Sequence, residues 1–267
     1  MNRNLLIAFI LSYGISFSQD GMDKKFQAGI GFSTGLNLNK TDTKRMDVNG
    51  VGSSVSIGLT FNYNLSSTIA FATGIDIDFE TNKIKPSALI GNSYYRYNDT
   101  KIELQEDSKS TFPGYNWTER KQKPVYLTVP TMLLFRTKYF GDLRYFAKFG
   151  LRTSLLMGNK INDKGFNINP TTGASEAIEN NSMKASRDMS FIRSNVGLAL
   201  GTEWNFSGST SLCFELGYYY GFTGIYSNNK GDKMSLYYAD STNSGLATYY
   251  SNDMMQNQLQ LKIAVLF

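Results

Sequence analysis

The chain has 267 residues, a formal net charge of +5, one cysteine and no histidine. That length suits one domain, and the lone Cys213 cannot form an internal disulfide and reads as inert filler in a strand. Without imidazoles, Ser-His or Asp-His hydrolases, His-dependent acyl transfer and His-built zinc sites are excluded, and no metal or cofactor is expected.

The first element is a leader. Arg3 precedes a mostly apolar stretch from Leu5 to Phe17, and small residues at Ser16 and Ser18 stand before Gln19. This is the pattern of a secretory signal peptide over residues 1–18. The stretch is shorter than the roughly 20 apolar residues that a helical span requires. The mature chain, 19–267, is then expected to form one domain.

Eight period-two segments follow. Phe26, Ala28, Ile30, Phe32, Thr34, Leu36 and Leu38 alternate with Gln27, Gly29, Gly31, Ser33 and Gly35. The same rhythm recurs from Val55 to Tyr63, Ile69 to Phe79, Val125 to Tyr139, Leu143 to Met157, Val196 to Phe206 and Leu212 to Phe222. It closes from Leu259 to Phe267, on a terminal aromatic. One apolar face per segment means β-strands with one oily side. With 17 Tyr, 18 Phe and 24 Gly against 5 Pro, the composition suits many strands with aromatic girdles. Nothing after the leader has the length of a helical membrane span.

The connections alternate between short and long. Asn64-Leu65-Ser66-Ser67, Phe140-Gly141-Asp142 and Ser207-Gly208 read as tight hairpin turns. Roughly 39–52, 80–124, 158–188 and 223–255 read as long loops. The expectation is an all-β, eight-stranded antiparallel transmembrane barrel in a bacterial outer membrane. Short turns and both termini would face the periplasm, with the long loops extracellular. A soluble ligand-binding barrel would turn Phe, Leu, Ile, Val and Tyr inward and overfill an eight-stranded interior.

Parity then assigns the lumen. Asp76, Asp78, Glu203 and Glu215 supply acids, and Arg136, Lys148, Arg152, Arg193 and Lys262 supply bases. Paired charges of both signs form a salt-bridged core that plugs so narrow a barrel. A conduction path or a catalytic carboxylate pair, Asp76 with Asp78, is the competing reading.

Outside the wall, Tyr94, Tyr95, Tyr97, Tyr115 and Trp117 lie in the 80–124 segment and are candidate contacts for other envelope proteins. The basic side chains there, Lys83, Lys85, Arg96, Lys101, Lys109, Arg120, Lys121 and Lys123, stand among six acids and either meet the phosphates of lipopolysaccharide or, the preferred reading, only keep the loop solvated. Dispersed charge on a secreted chain argues against nucleic acid. Outer-membrane lipid is the remaining partner.

Tyr126-Leu127-Thr128-Val129-Pro130-Thr131-Met132-Leu133-Leu134-Phe135-Arg136 resembles a characteristic strand of the PorT-like outer-membrane β-barrel family. The Gly141 turn and Tyr145-Phe146-Ala147-Lys148-Phe149-Gly150 are similar to the strand that follows it in that family. Members often carry Glu where Thr128 stands. The resemblance covers the mature chain through its strand and loop layout, and it implies a part in protein secretion or gliding machinery. From the residues themselves, Pro130 lacks a ladder donor and should mark a bulge or an opened strand.

Three functions follow in order of preference. The first is a non-enzymatic envelope protein, structural or a subunit of a larger complex. The second is a PorT-type secretion component. The third is a narrow channel or a lipid-modifying barrel enzyme.

Overall fold

The computed structural model describes residues 25–41, 46–86, 93–97, 101–103, 114–169, 172–184, 189–226, 237–239, 247–249 and 254–267. The expected signal peptide, residues 1–18, lies outside them. Eight long strands form the wall: β1 (Phe26–Thr41), β2 (Gly52–Asn64), β3 (Ile69–Pro86), β4 (Gly114–Arg136), β5 (Leu143–Ile168), β6 (Ile192–Ser207), β7 (Thr210–Gly221) and β8 (Met254–Leu266). Each pairs antiparallel with its sequence neighbours, and β8 returns to β1 to close the ring. The Phe267 amide donates to the Ala28 carbonyl at 2.7 Å, so the last residue seals the seam. Closure removes the sheet edges, which in a membrane no water could satisfy.

Burial alternates along each strand, and it decides which face is inside. On β6, Leu198 is 52% exposed and Ala199 fully buried; on β8, Ile263 is 40% exposed and Ala264 buried. The bulky apolar residues therefore form the outer surface, and Gly, Ala, Ser and charged residues the lumen. On β3 the outward run from Ile69 to Phe79 is about 33 Å long as extended strand. At the usual barrel tilt this gives about 25 Å of height, the apolar band of an outer-membrane barrel.

Three tight turns sit at one end. Ser66 Oγ accepts from the Thr68 and Ile69 amides at 3.3 and 3.0 Å. Gly141 and Gly208 hold φ of 63° and 42°, a left-handed backbone that favours glycine. Ser207 pairs directly with Thr210, so the β6–β7 turn contains only Gly208 and Ser209.

The other end corrects the expectation of long loops. Most of 80–86, 114–124 and 158–168 is strand, since β3 runs on to Pro86, β4 begins at Gly114 and β5 continues to Ile168. Met157 stands unpaired between Val125–Gly158 and Tyr126–Leu156, a bulge that switches the inward parity of β5 from even to odd positions. The Ser175–Lys184 strand pairs with the end of β5, and together they form a sheet that projects beyond the apolar band. Backbone pairing continues here although the outer face is polar, because main-chain hydrogen bonds need no apolar periodicity.

Pro130 keeps its place opposite Arg152 on β5, but the β3–β4 ladder skips from Thr73–Thr131 to Asp76–Thr128 around it. The ladder skips again beside Pro124, between Phe79–Val125 and Asn82–Gln122. Thr73 Oγ1 donates to the Pro130 carbonyl at 2.8 Å and bridges the first opening.

Candidate functional site

The inward faces of the eight strands converge on ion pairs that cross the barrel. Arg152, from β5, points its guanidinium at Asp78 on β3 at 3.3 Å and at Gln260 on β8 at 2.8 Å. Thr128 Oγ1 donates to the same Asp78 carboxylate at 2.6 Å and shares a 2.8 Å bond with Ser154. Lys262 lies 3.4 Å from Asp76. Lys148 pairs with Glu215 at 2.5 Å, and the Tyr219 hydroxyl donates to Glu215 at 3.4 Å. Small residues make room for these side chains. A Cβ on Gly58 would collide with Asp76, and one on Gly197 with the Tyr219 ring, on which Arg152 stacks at 4.6 Å.

Toward the turns, Glu203 takes two bonds from Arg144, at 2.9 and 2.7 Å, and one from Tyr139 at 3.2 Å. Arg136 stands 3.6 Å from Glu203 and donates to Asn64 and Gln27 at 2.6 and 2.7 Å. Toward the projecting end, Arg193 holds Glu80 through bonds of 3.0 and 2.7 Å. Gln256 and Gln258 also donate to Glu80, at 2.9 and 2.7 Å. Arg193 lies over the Tyr126 ring at 4.2 Å, and the Tyr126 hydroxyl is buried without a hydrogen-bond partner among the described residues.

An apolar lid covers the charges at that end. Met189, Ile225 and Tyr226, from the connections flanking β6 and β7, pack with Ile84, Tyr126, Leu156 and Met254. Tyr226 donates to Gln122 at 2.6 Å, and Met189 and Tyr226 form an isolated bridge over the mouth. Arg120 and Asp163 join β4 to β5 beyond it, through bonds of 2.9 and 2.8 Å.

All nine charged residues singled out from the sequence face the lumen, and each lies in an ion pair. Asp76 and Asp78 serve different cations, Lys262 and Arg152, rather than forming a carboxylate pair free to act on a substrate. Four partners were missed. Arg144 shares the even parity of Lys148 and Arg152 and was legible from it. Glu80, Arg120 and Asp163 lay in segments read as loop, where only the strand extension reveals their direction. Tyr94 pairs with Tyr115 through the backbone, and Tyr95 and Tyr97 lie in the same short strand, Ser93–Tyr97. The side chains of Tyr94, Tyr95, Tyr97, Tyr115 and Trp117 lie outside the described residues. Among the described residues no group of three or more Cys, Asp or Glu side chains is placed to hold a metal.

Several solved outer-membrane barrels are similar in fold. The outer membrane protein OprG from Pseudomonas aeruginosa is 10% identical with a TM-score of 0.45, covering 91% of this chain and 95% of that one. Neisserial surface protein A is 10% identical with a TM-score of 0.36, covering 91% and 97%. The attachment invasion locus protein Ail of Yersinia pestis is 11% identical with a TM-score of 0.32, covering 91% and 100%. At such identities and scores nothing about ligand or partner transfers. No curated protein matches the sequence. A family model described as outer membrane protein beta-barrel domain matches residues 17–227, in keeping with the closed ring and apolar outer wall. The chain belongs to this outer-membrane β-barrel family and is a protein of the bacterial outer membrane.

Proposed function

We propose that this is a non-enzymatic outer-membrane protein whose closed barrel is a rigid base for the projecting sheet. Its role is structural or that of a subunit in a larger envelope complex. The observation that carries this reading is the filled lumen. Six basic and five acidic side chains are tied together in pairs there, and an apolar lid lies above them. Such an interior speaks against a channel and against lipid chemistry in the lumen, and it favours the surface beyond the membrane as the working part. The turns and both ends of the chain face the periplasm in this reading, and the projection faces outward. A place in PorT-type secretion or gliding machinery rests only on the sequence resemblance, from Tyr126 to Arg136 and through the Gly141 turn to Gly150.

Two measurements test the proposal. In a Cys213→Ser background, a cysteine at exposed Thr172 should react with a membrane-impermeant thiol reagent on intact cells, and one at exposed Lys138 should not. A photocrosslinker at Glu176 on the projection should capture envelope proteins that one at Leu198 on the wall does not. Capture only from the wall or from the turns would overturn the assignment, and secretion-machinery subunits among the products would favour the PorT-type role.

A further inference from the structure

Just beyond the apolar band, the outward face of β3, β4 and β5 carries lysines that the ladder sets against each other. Lys83 lies directly across from Lys121. Lys123 lies across from Lys160, which in turn is opposite Lys184 on the projecting strand. Lys121 and Lys123, two residues apart on β4, share a face. The buried neighbours Ile84, Gln122 and Asn159 point into the barrel, so Lys83, Lys121, Lys123 and Lys160 point out.

Like charges directly opposite in a sheet are destabilising, and local acids do not offset them. Glu119 approaches Lys121 only to 3.9 Å, and Glu179 is engaged by Lys164 at 2.8 Å. Among the described residues Lys83, Lys123 and Lys160 have no ion pair. At the turn end no two basic residues face each other among the described pairings.

The height of the cluster matters. Lys123 stands two residues past the outward Val125, about 7 Å along the strand, and Lys83 stands four past Phe79, about 13 Å. With strand tilt these become about 5 and 10 Å above the apolar band, within and at the upper edge of a headgroup layer.

We propose that this lysine cluster binds the phosphates of lipopolysaccharide in the surrounding leaflet, with the acyl chains lying on the apolar wall below. A phosphorylated glycolipid supplies anionic charge at the right height and oily chains where Phe79, Val125 and Met157 face outward. Bound phosphate turns the opposed lysines from a repulsive row into a clamp. This inference rests on the outward orientation of the projection proposed above.

The test is thermal unfolding of the purified full-length protein in detergent, read by heat-modifiable gel migration. Lipid A should raise the midpoint by several degrees, while dephosphorylated lipid A and inorganic phosphate leave it unchanged. In the variant combining Lys83→Gln, Lys121→Gln, Lys123→Gln and Lys160→Gln most of that rise should vanish. Without lipid the variant should melt no lower than the wild type, because repulsion has been removed. An equal rise in the variant, or with dephosphorylated lipid A, would overturn the proposal. An equal rise with phosphatidylglycerol would overturn the glycolipid as the bound species. Should the combined variant not fold, the wild-type rise must still shrink as salt is added, and a salt-insensitive rise counts against it. Loss of the lipid A response while Thr172 remains labelled from outside contradicts this inference alone; Thr172 labelled only from the periplasm contradicts the orientation.

Discussion

Arg193 and Glu80 meet across the lumen in a two-bonded pair, joining β6 to β3 between strands that are not neighbours in the wall. Both side chains are buried, and Gln256 and Gln258 satisfy Glu80 further. A buried ion pair of this kind is weak support for net stability, but removing one partner strands the other charge.

The single substitution Glu80→Leu should therefore cost about 3–5 kcal/mol. The double variant Glu80→Leu with Arg193→Met should cost much less, though not nothing, because Gln256 loses its acceptor while Gln258 keeps only Asn37. Equilibrium unfolding by urea in detergent micelles measures both. Equal losses in the single and double variants would mean that the pair is not coupled as described.

Tyr219 owes its place to Gly197 and Gly217, which leave space for its ring beneath Arg152. Gly197→Ala should destabilise the barrel by about 1–3 kcal/mol through overpacking. Adding Tyr219→Leu should recover part of that loss, and the same unfolding experiment reads it. A Gly197→Ala protein as stable as the wild type would place the ring elsewhere.

The apolar band should be sharply bounded. Leu198→Lys, within it, should cost about 2–4 kcal/mol in a lipid bilayer. Phe166→Lys points outward on the projecting part of β5 and should cost almost nothing. Refolding into vesicles followed by denaturant titration compares the two. Similar costs would extend the membrane contact up the projection.

How much of this was legible followed from where apolar surface meets lipid. Between Phe26 and Phe267 every wall strand shows period two inside the band, and parity alone directed Asp76, Arg152 and Glu215 inward. Beyond the band both faces are polar, as in Asn159-Lys160-Ile161-Asn162-Asp163, so the sequence rhythm fades while the ladder continues. That is why Glu80, Arg120 and Asp163 read as loop residues from the sequence. The Met157 bulge leaves no compositional mark, yet it alone turns Asp163 toward Arg120. The lid of Met189, Ile225 and Tyr226 joins connections distant in sequence, and no local pattern announces it.

The central claim is that the barrel is closed, and planar-bilayer recording of the purified, refolded protein tests it most directly. The ion pairs and lid predict no steady conductance in the wild type, and none after exchange of the exposed Lys164 for Gln. Stable, reproducible openings that change when Arg152 or Glu215 is substituted would contradict the account, because current would then pass through the lumen held here to be filled.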